Sequence, residues 1–175
     1  MKRYLRSFML LSLVLTVLLL SACKGKEEPH LKILAGKQEI QGIYYGNQYN
    51  QTREEIEKRL KKVMENKSLE ELPYVSLNEL ITIEAENFQT KELAVYDYIL
   101  TRTGTIRYND KLVQPSVIPV NGGKTTMNLS RNPAVNLSSD SEDYLPGKTI
   151  RCFVIRTDIE GSSFAFAFIL RTDAN

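Results

Sequence analysis

Few side chains in this 175-residue chain are equipped for covalent chemistry: one histidine, His30, and two cysteines, Cys23 and Cys152. A serine or cysteine nucleophile needs a base within hydrogen-bond reach, and a lone histidine directly after Pro29 is poorly placed to supply it. Cys152 falls within "KTIRCFVIRT", apolar on both sides, and reads as an inert buried thiol. Zinc asks for several nitrogen or sulfur ligands, which one histidine and one buried cysteine do not provide. No glycine-rich phosphate loop or dinucleotide fingerprint occurs. Two carboxylates meeting in space could hydrolyse a glycan, but no spacing singles out such a pair. The expectation is a protein that is not an enzyme and carries no cofactor, with a hydrolase using paired carboxylates as the least favoured alternative.

Binding chemistry is better represented. The loop "NLSSDSEDY" gathers Asp140, Glu142 and Asp143 among serines, hard oxygen ligands suited to calcium. Their spacing departs from the EF-hand pattern, and an acidic surface loop is the simpler reading. The segment "GIYYGNQYN" sets Tyr44, Tyr45 and Tyr49 among glycine and amides. Rigid aromatics beside hydrogen-bonding amides suit a glycan or a peptide; the alternative is packing at a strand end.

The elements that must position these residues are short. "LKILAGKQEIQGIYY" reads as a β-hairpin turning at Gly36-Lys37. One helix follows: Thr52 and Glu55 form a capping box, and Ile56, Leu60, Val63 and Met64 recur at helical spacing through to Asn66. Its other face carries glutamate-first pairs at i,i+4: Glu54 with Lys58, Glu55 with Arg59, and Glu57 with Lys61. After Pro73 come seven β-prone segments: "ELITIEAE", "ELAVYDYIL", "TIRYN", "PSVIPV", "TTMNLS", "KTIRCFVIRT" and "SSFAFAFILR". Turn signals separate them and no helix intervenes, which argues for an antiparallel sandwich over a βαβ fold.

The last two segments are apolar on both faces. Phe164, Phe166, Phe168 and Leu170 alternate with Ala165, Ala167 and Ile169, while Ile150, Cys152 and Val154 alternate with Phe153 and Ile155. A sandwich strand normally needs one apolar face, so the stripe of the 53–66 helix is expected to cover the other. An exposed patch that binds a partner is the alternative. Leu145-Pro146-Gly147-Lys148-Thr149-Ile150 resembles the corner that leads into the penultimate strand of immunoglobulin-like and fibronectin-like domains. That resemblance implies an immunoglobulin-like β-sandwich, mainly β, with one amphipathic α-helix packed on it. The lack of tryptophan and of an inter-sheet cysteine pair disfavours an antibody-type domain.

The amino terminus carries the most specific pattern. Lys2, Arg3 and Arg6 precede an apolar run from Phe8 to Leu20, broken only by Ser12 and Thr16. Thirteen helical residues span about 20 Å, short of the roughly 30 Å hydrocarbon core, as in a secretory signal. The run ends Leu20-Ser21-Ala22-Cys23, which resembles the lipobox of bacterial lipoproteins. The resemblance implies cleavage before Cys23 and diacylglyceryl attachment to its thiol, two acyl-type chains being enough for a lasting anchor. Residues 1–22 are then a lipoprotein signal peptide, 23–30 the lipidated cysteine and its tether, and 31–175 a single globular domain. Within that domain, 31–79 form the hairpin and helix, and 80–175 the sandwich.

Losing Lys2, Arg3 and Arg6 leaves 20 basic residues against 21 acidic, so the mature chain stands at net −1 with histidine neutral. No clustered basic footprint points to nucleic acid. With Cys23 acylated, Cys152 has no intramolecular partner, so stability must come from the core. Residues 24–29 reach at most about 20 Å, which keeps the domain and any partner near the membrane. Lys58, Arg59, Lys61 and Lys62 could meet anionic headgroups there, although the interleaved glutamates read more simply as a solvated face. The location expected is the extracytoplasmic face of the cell membrane, or the outer membrane in a diderm, since Lys24 carries no inner-membrane retention signal. The function expected is a membrane-anchored, non-enzymatic interaction module with a protein partner. A small-ligand receptor for glycan, peptide or calcium is the alternative.

Overall fold

Alternation of apolar and polar residues sets the first strands in the computed structural model, which describes residues 27–47, 52–65 and 67–175. β1 (His30–Ala35) buries Leu31, Ile33 and Ala35 and pairs antiparallel with β2 (Gln38–Ile40) across a two-residue turn. Gly36 stands at φ +57 in that turn, a left-handed backbone that glycine adopts without a Cβ penalty. The expected hairpin runs on through Tyr45, but the structure ends it at Ile40. β3 (Gly42–Asn47) leaves the first sheet and pairs with the last strand of the second. Gly42 permits the crossing, since a Cβ there would lie 3.3 Å from the Leu31 carbonyl oxygen.

The remaining strands are β4 (Leu80–Glu86), β5 (Glu92–Leu100), β6 (Ser116–Pro119), β7 (Lys124–Asn128), β8 (Thr149–Ile159) and β9 (Ser162–Thr172). They form two antiparallel sheets, ordered β2-β1-β4-β7 and β3-β9-β8-β5-β6. Between the sheets lie Ile33, Ile81 and Ile83 from one side and Phe153, Ile155, Phe166, Phe168 and Leu170 from the other. Phe153 and Phe168, directly paired in register, stack with ring centroids 4.9 Å apart. The period of two along each strand therefore places the apolar residues as their sequence alternation anticipates.

The second face of β8 and β9 is covered by α1 (Arg53–Met64), as the helical stripe requires. Ile56, Leu60 and Met64 pack with Cys152, Val154, Ala165, Ala167 and Ile169 in a second core. The Thr52 hydroxyl accepts from the Glu55 amide, and the Glu55 carboxylate accepts from the Thr52 amide at 2.9 Å. Of the anticipated helix pairs, Glu57 lies 3.9 Å from Lys61, and it also meets Arg53 at 3.0 Å. Arg59 is drawn across to β3, where its guanidinium donates to the Tyr44 carbonyl at 2.9 Å. The fold is thus a β-sandwich with a helix as a third layer on the five-stranded sheet.

One expected strand is not formed. "TIRYN" contributes only an isolated bridge, Leu100 with Ile106. Arg53 of the helix donates to the Ile106 carbonyl at 2.9 Å, taking an acceptor that a ladder would need. Six strands, not seven, follow Pro73.

Candidate functional site

Tyr44 and Tyr45 are neighbours in β3, so their side chains leave on opposite faces. Tyr44 points between the sheets, 5.3 Å from the Phe166 ring and 6.4 Å from Phe164. Tyr45 is 3% exposed in the helix-side core, beneath the Arg59 guanidinium at 5.1 Å. Burial pushes both hydroxyls above their ordinary pKa, and the negative charge of Glu28 adds to this at Tyr44. The two therefore do not share one surface, and Tyr45 is a core residue. Tyr49 and Cys23 lie outside the described residues, as does the lipobox.

The acidic loop is an internal clamp. Arg107 grips Asp143 through both terminal nitrogens, and the Ser138 hydroxyl donates to the same carboxylate. Glu142 meets Arg102 at 2.6 Å, and Asp140 accepts from the Glu142 amide at 2.9 Å, capping a short 3-10 turn. Each carboxylate is thus occupied by a donor of the protein. Among the described residues no three His, Cys, Asp or Glu side chains converge as metal ligands, so the structure does not gather Asp140, Glu142 and Asp143 into the anticipated calcium site. The corrective signal is the arginine pair, Arg102 and Arg107, which sequence spacing leaves far from the loop.

His30 opens β1, exposed, and pairs in register with Glu86. Cys152 is fully buried, and burial, with the nearby Asp97 charge, raises its thiol pKa. In the inner core Arg151 is 2% exposed, held by Asp97 through two nitrogens and by the Ser130 carbonyl at 2.7 Å.

The open surface lies at one end of the sandwich. There the chain enters β1, the 87–91 turn joins β4 to β5, and the Glu160-Gly161 turn joins β8 to β9. Asn87, at φ +65, extends its amide nitrogen to the Glu28 carbonyl at 3.4 Å, tying the turn to the entering chain. Between these three segments runs a groove of about 930 Å³. Phe88, Phe164 and Ile159 form its apolar surface, and Glu27, Glu28 and Glu160 its acidic one. Phe88 stacks on Phe166 at 5.7 Å, so the groove rests on the aromatic cluster that includes Tyr44. A second groove of about 670 Å³ shares Gln89 and is polar, lined by Lys91, Arg156, Thr157 and Asp158. Arg156 there lies over the Tyr96 ring at 5.2 Å.

Sequence reasoning missed this end because its walls come from three distant segments. No protein-family model matches the chain, and no curated protein matches it. No helix among the described residues is long and apolar enough to cross a membrane.

Proposed function

We propose that this chain is a lipid-anchored extracytoplasmic binding module, non-enzymatic, that works at the outer face of the membrane and binds through the open end of its sandwich. The observation that carries the reading is the 930 Å³ groove, which is built in part from Glu27, Glu28 and Pro29, where the chain enters the domain. Its size falls in the usual range of ligand sites. The lipobox at Cys23 supports the anchor, and a tether of about 20 Å at most supports a partner close to the membrane.

An immunoglobulin-like reading of the sandwich agrees with this placement. Taking β1, β4, β5, β6, β7, β8 and β9 as strands A, B, C, C′, E, F and G, the pairs A–B, B–E, C–C′, C–F and F–G all occur. β2, β3 and α1 are then an insertion between A and B. The groove sits at the B–C and F–G turns, the end at which variable domains carry their binding loops. That likeness concerns architecture, and the binding reading rests on the groove.

The test is cross-linking in intact cells, comparing wild type with Cys23→Ser, joined to mass analysis of the mature amino terminus. A diacylglyceryl adduct on Cys23 and a defined partner captured only by the lipidated form are the expected results. Turnover of a wall glycan or peptide by the purified protein would replace this reading with an enzymatic one. A small-ligand receptor is the second reading, favoured by the polar groove, where Lys91, Arg156, Thr157 and Asp158 offer charged and hydrogen-bonding groups. Calorimetric titration with glycans separates it from the first.

A further inference from the structure

Resting on the second reading, that of a small-ligand receptor, we propose that the polar groove of about 670 Å³ binds a short peptide with both ends free, its carboxylate on Arg156 and its ammonium on Asp158. The groove lies on the outer face of the five-stranded sheet, past the residues on which α1 packs. Ile56, Leu60 and Met64 cover Cys152 and Val154 of β8, and the next two side chains on that face of the strand, Arg156 and Asp158, are exposed. Arg156 pairs in register with Ala94 on one side and Ala165 on the other, so its cross-strand neighbours are small. Two residues along a strand set the Arg156 and Asp158 Cα atoms about 7 Å apart. An extended dipeptide spans about the same length.

The charges of this groove cancel in sum but not in pairs. Lys91, Glu92, Arg156 and Asp158 all line it and are exposed, and none of the four side chains makes an ion pair or a hydrogen bond. Arg156 instead lies over the Tyr96 ring at 5.2 Å, which orients the guanidinium and leaves its N–H groups to a ligand carboxylate. A ligand of single sign would meet two groups that repel it. A neutral one would take water from four charges and return nothing. A zwitterion answers both signs. The backbone that presents the charges is already ordered: the Thr157 hydroxyl donates to the Glu92 carbonyl at 2.9 Å and lies 2.6 Å from the Thr90 hydroxyl, and the Lys91 carbonyl accepts from the Val120 amide at 2.8 Å. The 90–92 corner is thereby pinned to β8 before any ligand arrives, which lowers the cost of binding.

The experiment uses the protein purified from membranes and held in phosphatidylcholine nanodiscs, with empty discs as blank. The probes, titrated at low salt, are alanyl-alanine, its N-acetyl form, its C-terminal amide and a neutral chito-oligosaccharide. Saturable binding of the free dipeptide is expected, about tenfold weaker when either end is blocked. Arg156→Gln is expected to abolish the preference for acid over amide and to keep the preference for a free amine. Asp158→Asn is expected to do the reverse, and both side chains are exposed, so an unchanged urea midpoint checks that each variant folds. No binding of the free dipeptide, or equal binding of the blocked forms, would overturn the proposal with no variant required. End preferences unchanged in both folded variants would also overturn it, by placing the peptide elsewhere. Oligosaccharide binding that is lost in Arg156→Gln, with the dipeptide failing, would leave the small-ligand reading and remove only the zwitterion. Failure of both probes would remove both.

Discussion

Gly104 lies directly beneath Leu60: a Cβ built on it would stand 2.8 Å from both the carbonyl carbon and the carbonyl oxygen of that residue. Helix backbone and loop backbone touch here with no side chain between them. Gly104 also holds φ +81, which a residue with a Cβ adopts at a cost of about 1–3 kcal/mol. Gly104→Ala is therefore expected to destabilise the fold by more than this strain alone and to speed amide exchange in α1. Gly122→Ala is the control, since Gly122 has φ +59 and nothing within 4 Å of a built Cβ. Urea unfolding of the two variants gives the contact as their difference. Equal losses would show that the helix can shift away without penalty.

The Arg151–Asp97 pair offers a second test. Arg151 is 2% exposed, and its guanidinium lies 5.0 Å over the Phe153 ring in the inner core. Asp97→Ala would leave a buried cation without its countercharge, expected to cost about 3–5 kcal/mol. Replacing both partners, as Arg151→Met/Asp97→Leu, is expected to recover much of that loss, because the isolated charge goes too. A double-mutant cycle read by urea unfolding checks this. An Asp97→Ala variant as stable as the parent would show that the Ser130 carbonyl and the aromatic ring suffice.

Acid should weaken the fold through surface carboxylates. Lys124, at 2.7 Å, holds the Glu84 carboxyl below its usual pKa, and backbone and hydroxyl donors at Ser68 do the same for Glu71. Each binds its proton less readily folded than unfolded. The stability they contribute is thus fully present above the ordinary value of 4.5 and is lost as pH falls through the lower folded values. The urea midpoint is expected to hold from neutral pH to about pH 5 and to fall below it. Glu84→Gln should make that fall slightly shallower, since exposed pairs contribute little each. A steeper fall in the variant would contradict the assignment.

Much of the architecture can be read from residue spacing because burial and period coincide. The two-faced apolar alternation of β8 and β9 demands two coverings, and among the described residues the i,i+4 stripe of Ile56, Leu60 and Met64 is the helical surface that covers the outer face. The capping box marks the helix start for equally local reasons. Reading fails where partners are distant. Glu142 and Asp143 look like cation ligands until Arg102 and Arg107, 40 and 36 residues earlier, are brought against them. Strand β3 reads as the continuation of a hairpin, because nothing in "QGIYY" says that Gly42 turns it toward the other sheet. The tyrosines of that strand look like one surface until the pleat separates them. The groove was illegible for the same reason, since residues 27–29, 87–89 and 159–164 share nothing but their place at one end.

The order of strands in the larger sheet has a bearing on when this protein can fold. β8 and β9 occupy the middle of β3-β9-β8-β5-β6, yet they are the last strands of the sheet to be synthesised. Until residues 149–172 have left the ribosome, β3 has no neighbour in this sheet and α1 has no floor of Ala165, Ala167 and Ile169 to settle on. The smaller sheet can zip earlier, but Ile81 and Ile83 then face water, since the aromatics that cover them arrive only with the final hairpin. Such a chain stays open and threadable for nearly its whole length, then closes two cores at once. If the chain is exported as the lipobox reading proposes, that late closure leaves most of its length without a finished core until the final hairpin is made.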